Sequence, residues 1–198
     1  QSILQGQIEK FGKHIFKEGS VVIPGVYRYD NQYYSIKVES TFFGVPVELY
    51  YDKLVGLRIQ GKTSGVIAQV VNILSAAQSE TSDTTLYIKY EKTSDDFERD
   101  TFLDGENLIV LSDITYGTTT ITQGSDFATA INSNASNIGS SFSIDRGVWF
   151  IRGSFVEVNP ETIILNQYEP FPSFRVGLNV KEEIVTAVDD NSLYDNAA

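Results

Sequence analysis

The chain has 198 residues, 41% of them hydrophobic, and its 26 acidic against 15 basic residues give a formal charge of −11. This length can bury a core as one domain or as two small ones. The acidic balance disfavours non-specific binding to nucleic acid or to an anionic membrane, so direct DNA or RNA binding is not expected. Because there is no Cys, a disulfide framework and a thiolate zinc site are both excluded.

Composition also bears on fold class and setting. The chain holds 11 Tyr and 12 Phe, and aromatic residues favour β-strands, as do Val, Ile and Thr. A chain without disulfides suits a reducing cytoplasm and equally an assembled particle. Met is absent and the chain opens on Gln1, so we expect a fragment, a processed chain or an incomplete one. No apolar run approaches the ~18 residues needed to span a bilayer, and no signal-peptide pattern is present.

The first predicted element is an amphipathic helix over residues 1–16. Leu4, Ile8, Phe11 and Ile15 are spaced by four, three and four residues, which places them in one apolar stripe. Two interpretations follow: a packing arm or coiled-coil tail, or a surface helix on its own domain.

Short strands are predicted next. Val21 to Ile23 ends at a Pro-Gly turn signal, and Tyr33 to Val38 alternates as a half-exposed strand does. Two more apolar runs follow, at Val45 to Tyr51 and at Leu54 to Gln60.

Residues 54–111 show strands separated by turn clusters at short spacing, which is typical of a small antiparallel barrel or sandwich. The predicted strands are Val66 to Leu74, Leu86 to Tyr90 and Leu108 to Leu111. Phe102 to Glu106 is predicted to be a turn. We interpret this block as an inserted small β-barrel subdomain.

The stretch Gly147 to Leu165 is predicted to be a β-hairpin or bent strand pair at the centre of the fold, with its turn at Asn159-Pro160. Before it, Asp126 to Ile138 could form one or two helical turns, but the Asn-Ser-Asn-Ala-Ser-Asn run within it favours a loop. After it, Phe174 to Val180 is predicted to be the last alternating strand.

Residues 181–188 are predicted to continue as strand or short turn, and residues 189–198 as a polar loop. The sequence thus predicts a mainly β chain made of antiparallel sandwich or barrel domains with an N-terminal helix. The predicted parts are 1–18 as helix or packing arm, 19–53 with 112–198 as the main β domain, and 54–111 as the inserted subdomain.

Catalytic groupings are hard to find in this sequence. His14 is the one His, so a multi-His site within one chain is excluded, and we predict a surface or packing role for it. A glycosidase needs two carboxylates across its substrate. Adjacent acidic pairs in polar loops are more often solvated charge, and we apply that interpretation to Asp95-Asp96, Glu182-Glu183 and Asp189-Asp190. Glu157 and Glu161, which flank the Asn-Pro turn, are predicted to face solvent.

Metal and phosphate sites are not supported either. Asp189-Asp190-Asn191 and Asp195-Asn196 offer oxygen ligands, but no EF-hand spacing of Asp, Gly and Glu is present. We therefore predict no catalytic residue, no cofactor and no metal.

One phosphate-loop pattern does match by letter and spacing, from Gly56 through Gly61-Lys62 to Thr63. A phosphate loop needs a helix after it, because the helix N-terminus holds the phosphates. Strands are predicted on both sides of this match, so we reject it.

Six tyrosines raise the possibility of a sugar-stacking face. Neighbours on a strand point to opposite faces, so only one of each adjacent pair can lie on such a face. We therefore favour core or interface packing for them. They are Tyr33, Tyr34, Tyr50, Tyr51, Tyr87 and Tyr90.

Several segments resemble structural proteins of tailed bacteriophages. The similarity is to a domain of otherwise undefined function in tail-fibre and baseplate components, cyanophage-like contractile tails in particular, and it covers most of the chain from about residue 12. The motifs are glycine and hydrophobic signatures and not catalytic ones. They are Gly12 to Gly25, Gly61 to Ala68, Phe102 to Glu106, Gly147 to Val158, Phe174 to Leu178, Glu182 to Thr186 and Asp190 to Asn196.

This resemblance implies a non-enzymatic virion protein that works through protein–protein interfaces with other tail or baseplate proteins. We expect a homo-oligomer, with a trimer most natural for a fibre, and no nucleic-acid binding or membrane insertion. A host-surface glycan is expected at most through an attached fibre. The alternative from another class is a carbohydrate-recognising adhesin or depolymerase of a phage tail.

Overall fold

The computed structural model describes residues 3–94, 99–184, 186 and 188. Within these residues the one α-helix, α1 (Ile3–Ile15), is followed by strands that pair antiparallel. The predicted mainly β antiparallel fold with an N-terminal helix is therefore confirmed. The strands are β1 (Ser20–Ile23), β2 (Tyr27–Val38), β3 (Thr41–Phe42), β4 (Val45–Pro46), β5 (Arg58–Gly61), β6 (Ile67–Leu74), β7 (Thr84–Lys92), β8 (Asn107–Val110), β9 (Ile114–Tyr116), β10 (Thr119–Ile121), β11 (Asp126–Thr129), β12 (Ser136–Ile144), β13 (Gly147–Ile151), β14 (Ser154–Val158) and β15 (Glu161–Asn166).

Six strands close into a barrel in the order β11, β8, β5, β6, β7 and β2. The ring is completed where Val38, at the end of β2, bridges Ala130, just after β11. A hydrogen bond from the Glu39 N–H to the Thr129 carbonyl, at 2.9 Å, lies beside that bridge. Closure lets the inward-facing side chains of all six strands share one core.

The barrel core is made of aliphatic and aromatic side chains that alternate with outward-facing residues along each strand. Two 3₁₀ turns, Val47–Leu49 and Tyr51–Leu54, pack against it. The buried residues of this segment are Val47, Tyr50 and Leu54, three and four positions apart, as one face of a helix requires. Buried members of the core include Ile36, Val38, Val47, Tyr50, Leu54, Ile59, Val66, Ala68, Val70, Leu86, Ile88, Phe102, Leu108, Val110 and Phe127.

The barrel draws on more than the 54–111 block. That block supplies β5 to β8, while β2 and β11 come from the flanking segments. Division of the chain into a main domain and an inserted subdomain stays a prediction.

Two further layers lie outside the barrel. β2 is twelve residues long and pairs along most of its length with β12, which in turn pairs with β15. β12 and β15 thereby extend the barrel strands into one eight-stranded sheet. A separate three-stranded sheet, in the order β1, β13, β14, contacts α1.

Only residues 147–158 of the stretch Gly147 to Leu165 form a hairpin, and its turn does not lie at the predicted Asn159-Pro160. β13 and β14 pair around Arg152 and Gly153, whose φ angles of 49° and 82° fit a type I′ turn. Asn159-Pro160 instead leads out of β14 into β15, which belongs to the eight-stranded sheet. The two halves therefore lie in different sheets, and the hairpin is part of the small sheet, not the centre of the fold.

The loop predicted over Asp126 to Ile138 is wrong at both ends, where β11 and the start of β12 lie, but residues 131–135 between them are irregular as predicted. Ser and Asn are weak strand formers, but β12 is held on both sides, by β2 and by β15. Its buried Ser140 has its hydroxyl satisfied by the Glu169 carbonyl at 2.9 Å. Tertiary pairing has overridden local propensity.

The strand predicted over Phe174 to Val180 is also wrong, because these residues form no strand. Val176 and Leu178 instead line an apolar groove with Phe142 of β12 and Ile163 of β15. Residues 181–184 are irregular as well, and residue 188 is in a turn. Residues 185 and 187, and the loop predicted over 189–198, lie outside the described residues.

Candidate interaction surface

α1 is anchored to the small sheet by an aromatic cluster. Phe16 contacts the rings of Phe150 and Phe155, each with a centroid distance of 5.8 Å, and those two rings are 5.3 Å apart. A Cβ at Gly12 would come within 2.9 Å of the Phe155 ring. Gly12 therefore lets the helix approach the hairpin closely, although Gly costs about 1 kcal/mol of helix propensity relative to Ala.

The predicted apolar stripe of α1 lies apart from that anchor. Ile8, Phe11 and Ile15 are 51%, 67% and 58% exposed. The amphipathic helix itself is confirmed, but most of the stripe surface is not buried by the protein's own sheet. The contact with the sheet comes from Gly12 and Phe16, which the stripe did not include.

A second apolar row lies on the small sheet, on the face opposite the aromatic cluster. Val21 of β1 is opposite Trp149 of β13, and Trp149 is opposite Val156 of β14. Because side chains alternate along a strand, these three share the face that Phe150 does not use. Val21 is 52% and Val156 is 39% exposed. The sequence reasoning missed this row because it placed the hairpin turn seven residues too late.

Charge sets the N-terminal helix apart from the rest of the chain. Residues 3–17 contain Lys10, Lys13 and Lys17 but only one acidic residue, Glu9, in a chain of formal charge −11. A basic patch on an acidic protein is attracted to acidic surfaces at low and moderate salt.

The residues weighed for acid–base chemistry do not converge. His14 is exposed on α1. Glu157 forms an ion pair with Arg146, and a hydrogen bond from that guanidinium lowers the pKa of the Glu157 carboxyl. Glu161 is exposed at the start of β15. The prediction that both glutamates face solvent is confirmed.

The adjacent Glu182-Glu183 pair is split between two partners. Glu182 pairs with Arg152 and Glu183 pairs with Lys181, and all four side chains are largely exposed. Asp95-Asp96 and the acidic residues from Asp189 onward lie outside the described residues. Among the described residues no group of three or more His, Cys, Asp or Glu is placed to hold a metal ion.

The loop that matches the phosphate pattern holds a carboxylate of its own protein. Gly61 ends β5, and β6 begins after a tight turn, so strands flank the loop as predicted. Glu106, 5% exposed, accepts hydrogen bonds from the N–H groups of Thr63 (3.0 Å), Ser64 (2.9 Å) and Leu103 (2.7 Å). A Cβ at Gly61 would collide with the Ser64 hydroxyl. The anion site of this loop is thus filled internally, which no sequence pattern around Glu106 had indicated.

The tyrosines divide between two faces, as strand alternation predicts. Tyr33 stacks on Tyr87 at 4.7 Å, and both are buried. Tyr34 contacts Tyr90 at 5.3 Å, and both pack against the barrel core. Burial raises the pKa of Tyr87. Tyr50, between the two 3₁₀ turns, is a buried core residue, and Tyr51, in the second turn, packs against the core. Core packing is therefore confirmed for all six tyrosines.

Comparison of the chain with known proteins identified no relative. No protein family, curated protein or solved structure matched the chain. Within the described residues, α1 is too short to cross a bilayer.

Proposed function

We propose that this chain is a structural component of a bacteriophage tail, a baseplate or tail-fibre attachment protein that acts through protein–protein interfaces and not by catalysis. The sequence resemblance of most of the chain to tail-fibre and baseplate proteins supports the virion setting. The proposed partners are copies of the same chain and other tail or baseplate proteins.

The proposal that the chain acts through an interface rests on the solvent exposure of the apolar stripe of α1. An amphipathic helix gains most of its stability by burying its apolar face. Ile8, Phe11 and Ile15 remain at least half exposed on a helix that is already anchored at Gly12 and Phe16. Association of three such helices would bury the stripes against one another, with the barrel carried outward from the bundle.

In this mechanism the molecule is a rigid spacer. The closed barrel and the eight-stranded sheet keep their shape under load because each strand is paired along its length or packed on the core. The α1 bundle fixes copies to one another, and the exposed apolar row of the small sheet provides a second contact surface for a neighbouring subunit.

Sedimentation equilibrium of the full chain tests the interface. We expect the mass of three 22.0-kDa chains, and we expect Phe11→Glu to weaken self-association at least tenfold because it places a charge in the buried seam. Leu49→Glu, at a 61% exposed site in a 3₁₀ turn, is the matched control and should leave the mass unchanged. A monomer at all concentrations, or equal effects of the two variants, would contradict the proposal.

The rival carbohydrate function is tested with the same preparation. An adhesin would bind components of a glycan array, and a depolymerase would shorten a capsular or cell-wall polysaccharide. The structural proposal predicts no signal in either assay. Saturable binding of one glycan, or product release from a polysaccharide, would favour the rival.

A further inference from the structure

β15 lies at one end of the eight-stranded sheet. It pairs with β12 on one side, and no strand in the described part of the chain pairs with its other side, which we call the outer edge. Proteins commonly protect such edges with Pro, Lys or a bulge. Residues 161–164 pair with β12 without a bulge, and β15 contains neither Pro nor Lys. Thr162, Ile163 and Ile164 are β-branched and favour strand pairing, so the outer edge is open to an added strand.

The two faces of this part of the sheet differ in polarity. Phe142 of β12 is opposite Ile163 of β15, and we call the face that they share the apolar face. Ser143 is opposite Thr162, and these two lie on the other, polar face. A strand that continues the sheet beyond β15 must therefore alternate apolar and polar side chains.

The segment that follows β15 has this alternation. Within residues 174–180 the even positions are Phe, Val, Leu and Val, and the odd positions are Arg, Gly and Asn. Such alternation is typical of a strand with one apolar face. The residues nevertheless form no strand in the structure. We call the irregular residues 171–184 the arm.

The arm makes few contacts within its own copy. Among the described residues, no main-chain hydrogen bond joins the arm to another segment. Val176 is half-buried in the groove over the apolar face, whereas Phe174, Leu178 and Val180 are exposed. A segment of this kind gains free energy when a partner covers its apolar side chains and pairs with its main chain.

The arm is held away from the outer edge of its own β15. Just before the arm, the Pro170 carbonyl accepts a hydrogen bond from the hydroxyl of Tyr29 on β2, two strands in from β15. Near the end of the arm, Glu182 forms an ion pair with Arg152 in the turn between β13 and β14. Each copy therefore carries an open edge and a matching segment that do not meet within that copy.

We propose that residues 174–180 of the arm add to the outer edge of β15 in a second copy of this chain, as a ninth strand of its sheet. Main-chain hydrogen bonds join the arm to β15, and the even-numbered side chains continue the apolar face. Because the two contact surfaces differ, the association is head-to-tail. The inference uses a different surface from the α1 stripe and does not depend on it.

The test uses the full chain with Phe11→Glu, so that the outcome does not depend on association through α1. The probe is a labelled synthetic peptide with the sequence of residues 171–184. Two further peptides are N-methylated, one at positions 174, 176, 178 and 180 and the other at positions 175, 177, 179 and 181. In a strand that pairs through one edge, only alternate residues direct their N–H groups to the partner. The two methylated peptides are therefore matched controls for each other.

We expect saturable binding of the unmodified peptide that slows hydrogen exchange in residues 161–166. One methylated peptide should bind at least ten times more weakly, and the other should bind nearly as well as the unmodified peptide. The absence of binding would overturn the proposal. Equal binding of the two methylated peptides would also overturn it, because strand addition makes the two patterns unequal.

Disulfide cross-linking tests whether the partner is a second copy. A chain with Thr162→Cys, on the polar face of β15, is mixed with a chain that carries Arg175→Cys, Gly177→Cys or Asn179→Cys. Thr120→Cys, at an exposed position of β10, is the matched control for Thr162→Cys. One of the three mixtures should form a disulfide between the two chains at least ten times faster than the same mixture with the control. A disulfide that closes only when both thiols are in one chain would overturn the proposal, because the arm would then pair with its own β15.

Discussion

At the scale of single residues, two buried tyrosines are satisfied differently. The hydroxyl of Tyr50 donates to the Phe127 carbonyl at 2.5 Å, and burial raises the pKa of Tyr50 to about 12. The hydroxyl of Tyr87 is buried without a hydrogen-bond partner among the described residues. A buried polar atom without a partner costs free energy, whereas a satisfied one contributes modestly.

Tyr87→Phe should therefore leave the free energy of unfolding unchanged or raise it by up to about 1–3 kcal/mol. Tyr50→Phe should lower it by about 0.5–1.5 kcal/mol, because the Phe127 carbonyl loses its donor. Urea unfolding of the two variants measures the difference directly. Equal destabilisation by both changes would show that Tyr87 has a partner in solution.

Glu106 is the residue on which two loops depend. Its carboxylate joins the turn after β5 to the segment before β8 through the N–H groups of Thr63, Ser64 and Leu103. Glu106→Gln should cost about 2–3 kcal/mol of unfolding free energy, because charge-assisted hydrogen bonds are lost and an amide N–H₂ faces N–H donors.

The matched control for this change is Glu91→Gln on β7. Glu91 forms an ion pair with the exposed Arg58, and such pairs contribute about 0–1 kcal/mol. If chemical denaturation showed the same small loss for both variants, the assignment of Glu106 as a structural anion would be wrong.

At the scale of elements, local chemistry predicted strands well where alternation or β-branched runs were strong. β1, β6, β7 and β8 lie close to their predicted positions. The failures share a physical cause, which is that tertiary pairing decided the outcome. Ser140 and its neighbours form β12 because strands lie on both sides, while Val176 and Leu178 alternate correctly but lie in an irregular segment that lines a groove.

The hairpin turn of β13 and β14 was missed for a different reason. Arg152-Gly153 lacks the Asn-Gly or Asp-Gly signature of a type I′ turn, yet both residues have positive φ. The first position carries a long side chain in a conformation that L residues avoid at a cost of about 1–2 kcal/mol. Asn159-Pro160 is the stronger turn signal in the sequence, but it connects β14 of the small sheet to β15 of the eight-stranded sheet.

Replacing the first turn residue tests this account of the hairpin. Arg152→Asn should raise stability by up to about 1 kcal/mol, and Gly153→Ala should lower it by about 1 kcal/mol or more. Gly177→Ala, where φ is not positive and no atom lies within 4 Å of the added Cβ, should change little. Fluorescence of Trp149, the one Trp of the chain, follows unfolding of this sheet. A loss of stability with Arg152→Asn, together with no loss with Gly153→Ala, would refute the turn assignment.

At the scale of the whole molecule, the sequence predicted the mainly β class and the amphipathic helix, but not how the strands close. The barrel joins residues 37–39 to residues 129–131, a long-range contact that no local pattern encodes. Of the two candidate contact surfaces, only the α1 stripe could be predicted from the sequence, because it follows from helical spacing. The row of Val21, Trp149 and Val156 depends on strand register. Register is fixed by turns and pairing, so it needs the fold.

The central claim is that copies of the chain associate through the α1 stripe. Disulfide cross-linking tests it most directly, because the chain has no Cys and an introduced thiol is therefore the only one. Phe11→Cys places a single thiol on the α1 stripe, and Leu49→Cys places one at a comparably exposed site away from it. In a bundle of parallel helices the same stripe residue of two copies meets within disulfide range. Under mild oxidation we predict covalent dimers of Phe11→Cys forming at least ten times faster than those of Leu49→Cys. Equal rates, or a Phe11→Cys chain that stays uncross-linked at high concentration, would contradict the account.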